Sequence, residues 1–377
     1  MRVLFIARYL QREHHRKVEA LAAQPGLDIW HVAPCCWRDE LRRYRQEAGR
    51  PAGYTLCLAR PFPTYDIHRY LYWPPDVYAA RVRPDIIHLE DEPDSLIACQ
   101  VVLARRRWAP RAPLVLFTWQ NIRRRRRWAV EKLARWVLSQ VDFLIAGNSE
   151  ALEVARAQGY DGPAAVLPQM GLDPGVFAPG DGGRTRHALG LAGFVAGFVG
   201  RLTPQKGVDI LLHALARLPD ASALIVGNGP TRMELEGLAR ELGIAERVRF
   251  VPAVPVEEVP AYLHAMDVLV LASRTTPNWK EQFGHVLIEA MACEVPVIGS
   301  DSGAIPEVIG PAGLIFPEGD AAALAQALEQ LRTVPALRER LGKAGRQRVL
   351  ERYTHAHIAR QTAEIYRRAL AGGRRKR

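Results

Sequence analysis

Short, continuously apolar runs alternate with amphipathic stretches along this chain. Residues 2–7, 28–33, 86–89, 114–118, 143–146 and 164–167 read as strands. Residues 16–23, 94–107 and 128–140 carry apolar positions at helical spacing. A strand apolar along its whole length is buried on both faces, so this alternation predicts an α/β fold with helices covering a parallel sheet. The pattern breaks at 168–183, a stretch dense in Pro and Gly, where a domain boundary is expected. It then restarts, with strands expected at 194–199, 223–226, 248–251, 268–272 and 295–298. Helices are expected at 208–218, 231–242, 284–293 and 353–370. Two open α/β sheets in tandem would bind ligand beyond the carboxyl ends of their strands.

The length, 377 residues, suits two domains of this kind. The apolar run at the N-terminus is too short for a secretory leader, and no run reaches membrane-spanning length. Five cysteines (Cys35, Cys36, Cys57, Cys99, Cys293) lack disulfide-framework or zinc spacing, which suits a reducing compartment. The expected location is therefore cytoplasmic, with peripheral attachment at the inner face of a membrane left open. The net charge of +11 changes that picture most. It is concentrated in Arg105–Arg107, Arg123–Arg127 and the tail Arg374–Arg377. Solvated surface charge and attraction to an anionic membrane or phosphate-bearing acceptor are both compatible with these runs. No nucleic-acid module accompanies them, and no nucleic acid is expected as a partner.

Three loops could carry chemistry. Gly200-Arg-Leu-Thr-Pro-Gln-Lys-Gly207 leaves an expected strand and opens a helix, bringing Arg201 and Lys206 to a helix start suited to a diphosphate. Val226-Gly227-Asn228-Gly229-Pro230 is a second strand-to-helix turn, where a ligand could approach backbone or nothing could bind at all. Lys280-Glu281-Gln-Phe283-Gly284-His285-Val286-Leu287-Ile288-Glu289 places Glu281 before a helix and Glu289 within it, among apolar neighbours. A carboxylate buried there needs hydrogen-bond donors, which sugar or ribose hydroxyls would supply.

Together with Pro296–Gly303, these motifs resemble retaining glycosyltransferase family 4, strongly over about residues 168–350. The resemblance implies the GT-B fold: two doubly wound Rossmann-like domains facing a central cleft. An N-terminal acceptor domain would span 1–170 and a nucleotide-sugar domain 171–353. Residues 354–377 would form a helix and basic tail packing toward the N-terminal domain. It implies hexosyl transfer from a nucleoside-diphosphate sugar to a saccharide or lipid-linked acceptor, in polysaccharide or glycolipid synthesis, without metal or cofactor. Arg201 and Lys206 would hold the diphosphate, Glu289 the ribose, and Glu281 hydroxyls near the reacting carbon. Gly200, Gly227 and the backbone of Val251 would flank the nucleotide, and Phe283, Gly284, His285, Val286 and Leu287 the sugar and phosphates.

The N-terminal half departs from the family pattern. The loop after the first strand, Arg8–His15, has no Gly, and Thr118-Trp119-Gln120-Asn121 stands where many members carry a His. Trp119 could stack on a sugar or be core, and Gln120 and Asn121 could bind acceptor hydroxyls. The acidic run Glu90–Asp94 reads better as a loop with a helix cap at Asp94 or Ser95 than as a metal site. The alternatives to transfer are an epimerase or hydrolase on the same fold, or a non-catalytic scaffold binding membrane or nucleic acid through its arginines.

Overall fold

A computed structural model describes the chain except residues 11, 39–42, 46–52, 63–65, 67, 74–76, 124–126 and 376–377. The centre of the second Arg run, the last two residues of the tail and Gln11 thus lie outside the described residues. Two compact units are present, one of residues 1–171 with 355–377 and one of residues 172–354.

The first unit is built on strands β1 (Arg2–Ala7), β2 (Asp28–Pro34), β5 (Thr55–Phe62), β6 (Leu71–Trp73), β7 (Ile86–Glu90), β8 (Leu114–Thr118), β9 (Phe143–Ala146) and β10 (Ala164–Val166). A small hairpin of β3 (Cys36–Arg38) and β4 (Arg43–Arg45) stands apart from them. The eight-stranded sheet runs β10-β9-β8-β7-β1-β2-β5-β6. Its pairs are parallel except the last, where β6 returns antiparallel to β5. The central strands are buried along nearly their whole length, as their unbroken apolar runs require. The final helix, His355–Arg375, belongs to this unit: Ile358, Ile365 and Tyr366 pack with Val3, Phe5, Leu21 and Phe117. Beneath them Lys17 and Glu90 form a fully buried ion pair, and Tyr9 also donates to Glu90.

The second unit holds six parallel strands: β11 (Phe194–Val199), β12 (Ala221–Val226), β13 (Val248–Val251), β14 (Val268–Leu271), β15 (Val297–Ser300) and β16 (Leu314–Phe316). Their order is β13-β12-β11-β14-β15-β16. The chain therefore winds outward one way from β11 and, after β13, returns to wind the other way from β14. At that reversal the connections after β11 and β14 leave toward opposite faces, opening a crevice at the carboxyl ends of the two strands. That crevice is where the sequence motifs of this unit converge.

No described helix is long and apolar enough to cross a membrane. Among the described residues, no group of three or more His, Cys, Asp or Glu could hold a metal ion.

Candidate donor site at the strand reversal

β11 ends at Val199 and the chain turns through Gly200, whose φ of +152° few side chains would tolerate. The Gly200 amide donates to the Val226 carbonyl (2.9 Å), and Leu202 donates to Asn228 (2.9 Å). The next strand end repeats the device, with the Gly227 amide donating to the carbonyl of Val251 at 2.9 Å. The two loops lie so close that a Cβ on Gly227 would sit 1.9 Å from the Gly200 carbonyl oxygen. The glycines therefore serve close packing of backbone, and Val251 contributes by anchoring Gly227.

From this laced base Lys206 reaches across to the connection after β14. Its Nζ lies 2.6 Å from Oε2 of Glu281, which also accepts from Ser273 Oγ at 2.9 Å. Glu281 is buried, while Lys206 keeps an exposed edge. The Lys206 ammonium also sits 5.0 Å from the centre of the Trp279 ring, so an aromatic face and a carboxylate fix the same cation. The turn presenting Trp279 is closed at Thr276, whose amide donates to the Trp279 carbonyl at 2.8 Å. Thr275, one residue earlier, is pinned by Glu318 through both its amide (2.6 Å) and its hydroxyl (2.8 Å).

Helix His285–Ala292 starts immediately after this loop. Gly284 caps it in a left-handed conformation (φ +80°), and no side chain caps its first turn. Phe283 is buried between the rings of His285 (4.9 Å) and Tyr353 (5.5 Å). Leu287 is buried, Val286 half-buried and His285 exposed. Glu289 is half-buried one turn into the helix, and among the described residues its carboxylate has no hydrogen-bond or ion-pair partner. Burial without a partner lifts its pKa from 4.5 to about 7. Arg201 stands exposed beside the crevice, with no side-chain partner among the described residues.

The structure thus brings Lys206 and Glu281 into contact and stacks the loops of Gly200, Gly227 and Val251 together. It leaves Arg201 and Glu289 unengaged. Ser273 and Trp279 escaped the sequence reading. Their signals were present in Ser273, a polar residue closing an apolar strand run, and in Trp279, two residues before Glu281 and just past Pro277-Asn278.

Residues 184–348 match the family model described as glycosyl transferases group 1. The match covers nearly all of the unit that holds this crevice. That unit carries a group 1 glycosyltransferase domain. Similar curated proteins include a D-inositol 3-phosphate glycosyltransferase of Streptomyces bingchenggensis, 34% identical over 64% of this chain and 56% of its own length. A GDP-mannose-dependent alpha-(1-6)-phosphatidylinositol monomannoside mannosyltransferase of Mycolicibacterium smegmatis is 36% identical over 63% of this chain and 66% of its own length. The chain therefore spans a little over half to two thirds of these relatives. Anabaena Alr3699/HepE, solved in complex with UDP, shares the fold with a TM-score of 0.74 at 20% identity, covering 97% of this chain and 99% of that one. The two Rossmann-like units are those of the GT-B fold.

The group 1 glycosyltransferase match stops short of the first unit, where the three residues expected on the acceptor side lie. Trp119 is half-buried: its indole N–H donates to Gln169 Oε1 (2.8 Å) and its ring covers Gly147, where a Cβ would lie 1.9 Å away. Its amide donates to Glu92 Oε1 at 2.9 Å. Asn121 is buried and donates to Glu150 Oε2 at 3.2 Å. The Gln120 amide donates to Thr118 Oγ1 at 3.2 Å, while its side-chain oxygen is buried without a partner among the described residues. The acidic run works inside the fold. Asp91 accepts from the Tyr70 hydroxyl (2.7 Å), Glu92 from Thr118, and Ser95 caps the helix Leu96–Trp108.

Proposed function

We propose that this chain transfers a sugar from a nucleoside diphosphate to an acceptor hydroxyl with retention of anomeric configuration. The observation that carries the reading is the Lys206–Glu281 pair at the strand reversal. A cation and a carboxylate of opposite function are held together where a nucleotide sugar would place its diphosphate next to its sugar. The Lys206 ammonium has three donor directions, and Glu281 takes one of them. A diphosphate oxygen can take another without breaking the pair, so the cation is positioned before the donor arrives. Arg201 adds a second charge to the diphosphate, and the first turn of helix His285–Ala292 offers backbone amides through Gly284, His285 and Val286.

In this mechanism the bond between the anomeric carbon and the diphosphate oxygen breaks as the acceptor oxygen attacks from the same face. The departing oxygen takes the acceptor proton, so the step needs no separate base. Charge developing on the diphosphate is met by Lys206 and Arg201. Glu281 accepts from a sugar hydroxyl, and Glu289 accepts from the ribose, filling its missing partnership. No metal or cofactor enters the scheme. The nucleotide dependence of similar proteins, GDP-mannose in one and UDP in another, supports the donor class. The acceptor is a saccharide, polyol or lipid-linked hydroxyl, and the reaction is assigned to the cytoplasm.

The test is incubation with UDP-, GDP- and ADP-sugars, with and without a panel of such acceptors, while following nucleoside diphosphate release and product stereochemistry. Acceptor-dependent release with a retained anomer is expected. A free or epimerised sugar formed equally without acceptor would replace transfer with hydrolysis or epimerisation.

A further inference from the structure

Six large apolar side chains of the first unit face solvent together. In the β5–β6 ribbon, Phe62 lies directly opposite Leu71, and Trp73 follows Leu71 on the same side. Phe62 is 76% exposed and Trp73 68%, whereas Tyr72 between them points into the core. Leu71 also lines an open groove of about 470 Å³ with Leu96, Leu103 and Trp108 of the neighbouring helix. A monomer rarely exposes a contiguous apolar face of this kind without a use for it.

Two observations say what covers this face. The first is charge. Residues Thr55–Phe62, Leu71–Trp73 and Leu96–Trp108 contain no acidic residue, and Arg60, Arg106 and Arg107 are exposed among them. Arg107 lies over the ring of Trp108 at 4.8 Å, joining cation and aromatic at the rim. Among the described residues, three nearby acids are engaged: Asp142 by Arg105 (2.7 Å), Asp91 by Tyr70 and Asp66 by Arg69 (3.7 Å). The second is the edge of β6. Gln100 closes it with both ends of its amide, accepting from the Tyr72 N–H (2.9 Å) and donating to the Tyr72 carbonyl (2.7 Å). A partner strand cannot add where that backbone is taken.

We infer that this face lies on an anionic bilayer, with Trp73, Trp108, Phe62 and the leucines entering the headgroup region and the arginines meeting lipid phosphates. Trp belongs at that depth because its ring is apolar and its N–H polar. Arg extends its stem over apolar surface while its charge stays at the phosphates. The inference does not depend on the donor-site reading.

The test uses the full chain and vesicles of phosphatidylcholine with or without phosphatidylglycerol, scored by co-sedimentation. The protein is expected to bind anionic vesicles at least tenfold more tightly than neutral ones. Binding should fall about thirtyfold in the double variant R106Q/R107Q, at roughly fivefold per basic residue. A loss of at least tenfold is expected in F62S/W73S, whose side chains stand outside the core. Unchanged melting temperature in each variant separates docking from folding, and the arginine pair serves alone should F62S/W73S fold poorly. Absence of vesicle binding, equal binding to both vesicle types, or wild-type binding by both variants would overturn the inference. So would a dimer in light scattering that F62S/W73S dissolves, because that result makes the face a contact between copies.

Discussion

Glu289→Gln replaces a half-buried carboxyl that has no partner among the described residues with a neutral group of the same shape. Burial raises the Glu289 pKa from 4.5 to about 7, so between those values the folded chain binds a proton that the unfolded chain has released. Stability contributed by this group is therefore intact below pH 4.5 and lost as pH rises toward 7. A shift of that size corresponds to a penalty on the order of 3 kcal/mol at pH 8. The Gln variant does not incur it, and the melting transition of the C-terminal unit should rise by roughly 5–10 °C at pH 8 and little at pH 4.5. Glu92, in the other unit, is also lifted to about 7 by burial, so the difference between variant and wild type, not the wild-type profile, isolates Glu289. The same substitution should weaken nucleotide binding. A hydrogen bond to a charged group is worth about 1.5–3 kcal/mol, or roughly ten- to a hundredfold in Kd. Wild-type affinity should also strengthen as pH rises from 6 to 8, while the variant stays flat. Calorimetric scans and titrations across pH provide both readouts. A variant with no stability gain at pH 8 and unaltered nucleotide affinity would refute the reasoning, because the carboxylate would then be neither strained by burial nor relieved by ligand.

Other outcomes follow from the same geometry. Glu281→Gln keeps the shape beside Ser273 and Lys206 but removes the charge; turnover should drop about a hundredfold or more while nucleoside diphosphate affinity changes only a few fold, as single-turnover assays and titration would show. Arg201→Ala removes an exposed side chain, so the melting temperature should hold while donor affinity falls about tenfold or more. Gly227→Ala forces a Cβ to 1.9 Å from the Gly200 carbonyl oxygen at a φ of +147°, and should destabilise the C-terminal unit on the order of 3 kcal/mol or more in denaturation experiments.

The interior strands were legible because burial on both faces leaves an unbroken apolar run. Leu114–Thr118, Phe143–Ala146 and Phe194–Val199 have the ends that pattern predicts. The edge of the first sheet was not. Thr55–Phe62 mixes Arg and Pro into its apolar positions, and Leu71–Trp73 exposes two of its three residues, so neither reads as a buried strand. The hairpin Cys36–Arg38/Arg43–Arg45 and the three-residue strand Leu314–Phe316 are too short to leave a period. At the site, residue types and loop positions could be read, but the partnership could not. Lys206 and Glu281 are 75 positions apart, and only the strand order β12-β11-β14-β15 brings their loops together. The sequence leaves Trp119 open between core and sugar platform. Its bond to Gln169 and its contact over Gly147 give it a structural task that composition alone does not reveal.

The central claim is that the strand reversal of the C-terminal unit holds a nucleoside-diphosphate sugar between Lys206 and Glu289. Isothermal titration of the intact chain with UDP-, GDP- and ADP-sugars, repeated with the double variant K206A/E289Q, tests it most directly. The account predicts saturable one-to-one binding of one nucleotide class, lost by at least a hundredfold in the double variant. Binding of none of the three, or equal affinity in the double variant, would contradict it.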